Sequence, residues 1–269
     1  MVNRYRLFTI EFILNDKLPF PFVLFVSFVV RFFTYPSYNA VILSILYEDN
    51  HLLVVNKPAG VPTQGAAAGE VSVVTLAKDY LKQKYAKPGN VYLGVVSRLD
   101  ALVTGVLVLA RTSKAAARLS EQFRETEVAK TYWAVVDGVP SPASAQLVDW
   151  LVKDERQQKV IVTTSTISES REARLQYRTL AALSQRRTLL EITLETGRKH
   201  QIRVQLAALG FPILGDAKYG AKSAFPQGIA LHARRLEIAH PTLKTPLRFV
   251  APLPELWRGL ALPEDLLSP

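Results

Sequence analysis

Two groups of polar residues set in apolar surroundings carry the chemistry of this 269-residue chain. The first is Arg98, Leu99 and Asp100, just ahead of the apolar run Val106, Leu107, Val108, Leu109 and Ala110. That run reads as a buried strand, so a rigid core would hold an arginine and a carboxylate in the segment leading into it. A carboxylate held in this way can serve as a nucleophile or as a local base. The second group follows the strand-like residues Leu189, Leu190, Ile192 and Leu194. After Gly197, the run Arg198, Lys199, His200, Gln201 and Arg203 opens a helix expected over 200–209, continued by Val204, Leu206, Ala207 and Leu209. A strand, a glycine turn and a basic helix start make a place for an anion or a nucleic acid. Between the two groups, Lys130 and Tyr132 enter a strand expected over 130–138.

The elements that must position these residues are mostly strands. One strand is expected over 45–56, with others near 159–164, 171–181, 188–195, 231–239 and 246–250. Helices are expected over 75–85, where Leu76, Tyr80 and Leu81 recur at helical spacing, and over 114–124, where Ala117, Leu119 and Phe123 do. Strands in runs with a few helices interspersed indicate an α+β fold. No internal repeat is found, and the polar stretch from Thr164 to Ser170 is too short for a linker, so one catalytic domain is expected.

Composition narrows the partners. The formal net charge is +10, and a basic domain gains sequence-independent affinity for nucleic acid by releasing condensed counterions. There are no cysteines, which excludes disulfides and thiolate metal sites and suits a reducing cytoplasm. Only His51, His200, His232 and His240 are present, without metal-ligand spacing, so no metal site is expected. The apolar run Leu18 to Val30 contains Pro19 and Pro21 and ends at Arg31. It falls short of the ~20 apolar residues a membrane span needs. Residues 1–44 are therefore an apolar extension, either a segment that covers the catalytic domain or one translated from a start codon placed too early. A chain starting near Ala40 is expected to fold and to keep its activity.

With these residues in view, the chain resembles the RluA-type pseudouridine synthases, which isomerise uridine in RNA. The family's opening signature matches Leu46, Tyr47, Glu48, Asp49, Leu52 to Gly60 and Pro62. Its Arg-Leu-Asp segment matches Arg98, Leu99, Asp100 and Gly105, and its Lys-x-Tyr-x-Ala segment matches Lys130, Tyr132 and Ala134. Thr196 to Gly220 matches a third signature nearly throughout, and Leu231 to Pro254 completes the order. The likeness covers residues 45–257 and leaves 258–269 as a tail. Four positions depart from the pattern. Ser97 replaces a His, Ala101 a basic residue, Val103 and Thr104 a Thr-Ser pair, and Gln205 a frequent His. These bear on RNA contacts, positioning and substrate choice more than on the reaction.

The resemblance implies a mixed, largely antiparallel sheet with a central active-site cleft flanked by helices. It implies that Asp100 attacks or acts as base at the ribose after the target nucleotide has flipped from its stack. Arg203 pairs with that carboxylate, since an opposite charge within reach favours the ionised form. Tyr132 stacks on the uracil and can relay the C5 proton. Arg98, Arg111, Lys114, Lys130, Arg198 and Lys199 are the expected phosphate contacts, with His200 and Gln201 counted among the RNA-binding residues. The partner is ribosomal or transfer RNA. No cofactor, metal or membrane is expected, and the chain is read as a cytoplasmic monomer. Two rivals are a homologue that binds RNA without turning it over and a glycoside hydrolase, which would need a paired carboxylate.

Overall fold

The computed structural model describes residues 43–65 and 71–266, and the expectations placed on residues 1–42 lie outside these. Where one strand was expected over 45–56, the chain forms a hairpin of β1 (Ser44–Glu48) and β2 (Leu52–Lys57). Asp49 makes the turn: its Oδ1 accepts from the backbone N–H groups of His51 and Leu52, both at 2.7 Å. An aspartate that bonds the amides following it offers the backbone an alternative to the strand ladder.

α1 (Val73–Lys84) and α2 (Ser113–Arg124) begin slightly earlier than helical spacing alone suggests. Ser72 and Thr112 cap them, each side-chain oxygen accepting an amide proton three residues on, at 3.1 Å. Between them lie β3 (Gly94–Val95) and β4 (Thr104–Ala110). The two helices explain why β2 and β4 are apolar without interruption. Leu53, Val55, Leu107 and Leu109 face α1. Leu52, Val54, Val106 and Val108 face α2 on the other side of the sheet.

The remainder of the chain forms β5 (Ala129–Asp137), β6 (Ser144–Asp154), β7 (Lys159–Thr163), β8 (Arg171–Leu183) and β9 (Arg187–Leu194). α3 (Gln201–Ala208), β10 (Leu231–Ala239) and β11 (Pro246–Val250) follow. Along the sheet the order is β1-β2-β4-β10-β5-β9-β8-β6-β7, with β11 on β10 and β3 on β4. Every pairing is antiparallel except that of β4 with β10, so the expected α+β fold with a mixed, largely antiparallel sheet is the one observed.

The parallel seam is narrow, pairing His232 with Thr104 and Ala233 with Gly105. Gly105 has φ +114°, and a Cβ there would lie 2.3 Å from the Ala233 carbonyl oxygen, so only glycine allows the two halves of the sheet to meet. On the other side of β10 the core gathers Val135, Leu189, Leu190, Ile192, Leu206, Ile213 and Trp257. Leu260 and Leu262 are buried in the same cluster, so packed structure continues past residue 257, where a tail was expected to start. α3 packs Val204 on Leu151, Val160 and Ala173, which anchors it to β6, β7 and β8.

Candidate active site

The register across the seam sets Ala233 of β10 beside Gly105 on one side and Tyr132 of β5 on the other. The segment entering β4 therefore carries Asp100 toward Tyr132, and both line a cleft of about 670 Å³ whose far wall is formed by Gly197 to Arg203. That segment is pinned from below. Thr63 bonds both the N–H and the carbonyl of Leu99, at 3.1 and 2.8 Å, and the Gly60 N–H donates to the Ala101 carbonyl at 2.8 Å. Lys57, 1% exposed, donates to the carbonyls of Pro58, Val61 and Ala101 at 2.8, 2.7 and 3.0 Å. Burial pushes its pKa down to about 7, against the pull of the Asp100 charge. Three carbonyl acceptors match the three protons of an ammonium, so this geometry belongs to the charged form.

Arg203 on α3 reaches Asp100 with Nη1 to Oδ2 at 3.1 Å. Its stronger bond is to a residue that sequence reasoning assigned no role. Nε and Nη2 donate to the two oxygens of Asp216 at 2.7 and 2.8 Å. The Tyr219 ring, 5.0 Å from the guanidinium carbon, covers its face. Burial works against the Arg203 charge, yet the bonds and charge of Asp216, with those of Asp100, raise its pKa above the ordinary arginine value. The Asp216 side chain is 1% exposed and that of Asp100 is 29%, so the first is a fixed anchor and the second remains open to a ligand.

His200, in the left-handed backbone conformation at the start of α3, turns its ring toward the same carboxylate. The Tyr219 hydroxyl accepts from the Val160 N–H at 3.2 Å and shares a hydrogen bond with His200 Nδ1 at 2.7 Å. The other ring nitrogen, Nε2, lies 3.7 Å from Asp100 Oδ2. Burial lowers the His200 pKa, partly offset by Asp100 and reinforced by Arg203, Lys199 and Lys218. Tyr132, packed against the core, has its pKa pushed up by burial and then by the Asp100 charge. Its phenol stays protonated, and an aromatic face, a proton and an arginine-oriented carboxylate converge in one cleft. Among the described residues no cluster of His, Cys, Asp and Glu could hold a metal ion, and no helix is long and apolar enough to cross a membrane.

Residues 51–208, which contain Asp100, Tyr132 and Arg203, match the profile of the family described as RNA pseudouridylate synthase. This chain belongs to that family. It is 37% identical over 227 residues to ribosomal large subunit pseudouridine synthase D of Xylella fastidiosa, covering 79% of this chain and 66% of the relative. It is 36% identical over 220 residues to the dual-specificity RNA pseudouridine synthase RluA of Escherichia coli strain K12, covering 78% of this chain and 93% of that one. The solved structure of human RNA Pseudouridylate Synthase Domain Containing 4 superposes with a TM-score of 0.66 at 29% identity, over 81% of this chain and 93% of that one. By family the chain is an RNA pseudouridine synthase, an isomerase that acts on RNA.

Within this family frame the expected RNA-binding residues divide. Arg98, Arg198, Lys199 and His200 line the cleft, and Lys130 lines an adjoining compartment that also contains Arg98 and Arg198. Gln201 also lines the cleft, whereas Arg111 and Lys114 line neither the cleft nor the adjoining compartment. Arg111 is tied to Glu48 at 3.1 Å and to the Asp49 carbonyl, and it stacks on Tyr85, so it braces the first hairpin away from the cleft. Lys114 is exposed in the first turn of α2, about 15 Å along the helix from Arg124, whose end of α2 borders the adjoining compartment. Gln201 is buried, with Oε1 accepting from the Arg198 N–H and the Thr196 hydroxyl and Nε2 donating to the Arg174 carbonyl at 3.0 Å. It shapes the basic turn from beneath. Of the departures from the family pattern, Ser97, Ala101 and the largely buried Val103 line the cleft, and Gln205 bonds Asp149 on β6 at 2.8 Å.

Proposed function

We propose that this chain converts uridine to pseudouridine in ribosomal or transfer RNA through Asp100, Tyr132 and Arg203. The observation that carries this reading is the partly exposed Asp100 carboxylate, bonded to a buried arginine and sharing one cleft with a tyrosine. The flipped uridine enters with its base against Tyr132 and its ribose at Asp100. The N1 to C1′ bond breaks, Asp100 acts at the ribose while the base is free, and the uracil turns and rejoins C1′ through C5. The C5 proton leaves and N1 takes one up, so the step needs no oxidant, reductant or cofactor. Arg203 orients the carboxylate throughout, and Asp216 positions Arg203.

Arg98, Lys130, Arg198, Lys199 and His200 meet the RNA around the cleft. The two RNA classes come from the relatives: one is named for the large ribosomal subunit and another for dual specificity. The catalytic unit is read as residues 45–257 extended by the packed residues to Leu262, acting as a monomer in the cytoplasm. RNA carrying tritium at uridine C5 tests the reaction. Release of tritium with no free uracil is the expected result. Binding without release would mean an RNA-binding homologue, and free uracil would mean hydrolysis.

A further inference from the structure

The cleft does not end at Tyr132. A second compartment of about 420 Å³ adjoins it and shares Arg98, Leu99, Tyr132 and Arg198 as a common wall. Its volume falls within the ~300–1,000 Å³ of sites that hold small ligands. Phe123, from the last turn of α2, lines one side, and Lys130 of β5 lines another. Lys130 and Tyr132 stand two residues apart on a strand. Their side chains share a face and are spaced by about 7 Å, roughly one nucleotide step of an extended chain.

The Lys130 ammonium is half-buried, and burial alone lowers its pKa; among the described residues no hydrogen bond or ion pair offsets the cost. A carboxylate does line the compartment, but it is committed elsewhere. Glu195 pairs with Arg174 at 3.3 Å and accepts from Gln146 and Gln176 at 3.0 and 2.9 Å. A desolvated cation without its own counter-ion is stabilised when an anion arrives. Beside it, an aromatic ring and basic neighbours form the combination that holds a nucleotide by phosphate and base.

We infer that this compartment is a subsite for the nucleotide adjoining the target uridine, with its phosphate on Lys130 and its base against Phe123. The inference rests on the proposed placement of the target base at Tyr132. It assigns to the enzyme a grip on unpaired RNA beside the modified position, independent of the sequence read elsewhere.

Binding of fluorescein-labelled nonauridylate to the full chain, measured over a range of salt concentrations, tests the subsite. Lys130→Met should weaken binding by about tenfold and flatten the log–log salt slope by about 0.7, the value for one lost phosphate contact on a single strand. Lys130→Arg should bind as the wild type does. Phe123→Leu keeps the apolar packing of α2 but loses the ring face, and should weaken binding with the salt slope unchanged. Melting curves of all variants establish that they are folded. Wild-type affinity and slope in Lys130→Met, or wild-type affinity in Phe123→Leu, overturns the subsite. Tritium release by the wild-type protein is measured separately: an inactive wild type that still binds through Lys130 and Phe123 would overturn the reaction while leaving the compartment in place.

Discussion

Arg203 and Asp216 form a two-pronged ion pair, Nε to Oδ2 at 2.7 Å and Nη2 to Oδ1 at 2.8 Å, with both side chains almost fully buried. This pair leaves Nη1 as the prong that reaches Asp100. Removing one partner of a buried pair strands the other charge, at a cost of ~3–5 kcal/mol, whereas replacing both with apolar groups is often neutral. Arg203→Met should therefore lose stability on that scale and lose activity. Arg203→Met with Asp216→Leu should recover most of the stability and none of the activity, as read by denaturant midpoints and single-turnover rates. Activity returning with stability would show that Arg203 serves only the fold.

Arg198 makes the contrasting case. Its side chain is exposed, and its Nε donates to the Glu172 carbonyl at 2.8 Å. Arg198→Met should weaken RNA binding and its salt dependence while single-turnover rates at saturating RNA stay within about threefold of wild type. A rate loss matching that of Arg203→Met would exchange the two roles.

His232 sits in the seam with no exposed surface, its Nδ1 2.8 Å from the Thr104 hydroxyl and its Nε2 3.3 Å from the Ala251 carbonyl. Burial pushes its pKa down to about 3, with Arg234 adding to the shift and the bond to Ala251 opposing it. The unfolded chain takes up this proton near pH 6.5 and the folded chain does not. The stabilisation is thus complete above about pH 6.5 and is lost progressively as pH falls toward 3. Between pH 7 and 5 the loss is about 2 kcal/mol. His200, whose pKa is also lowered, slopes the same way. The readout is therefore the difference in pH slope between wild type and His232→Gln, which should be shallower; equal slopes would remove His232 from the account.

Gly105 should tolerate no side chain. Gly105→Ala combines a left-handed backbone with a clash on the Ala233 carbonyl, and a cost on the order of 3 kcal/mol or more is expected in chemical denaturation. A loss below about 1 kcal/mol would mean that the seam can open without harm.

What could be read from the sequence follows from how local each signal is. Helices α1 and α2 and most strands carry their own periodicity, and Asp100, Tyr132 and Arg203 stood out inside family-like segments. β6 was missed because Asp149 interrupts the alternation of Ala145, Leu147 and Leu151, and its partner Gln205 lies on a distant helix. The turn at Asp49 hid inside an apolar run for a similar reason, a single side chain bonding its own backbone. Asp216 and Lys57 were visible as residues but not as anchors, because burial and partners exist only after the chain has closed. Arg111 shows the converse. It follows directly on β4, yet adjacency in sequence does not say that its side chain turns to Glu48 and away from the cleft.

Asp100→Asn tests the central claim most directly. The substitution keeps the size of the side chain and removes its charge, so RNA binding should persist while tritium release from C5-labelled RNA falls by on the order of 10³-fold or more. Release at the wild-type rate by Asp100→Asn would contradict the assignment of the reaction to this carboxylate.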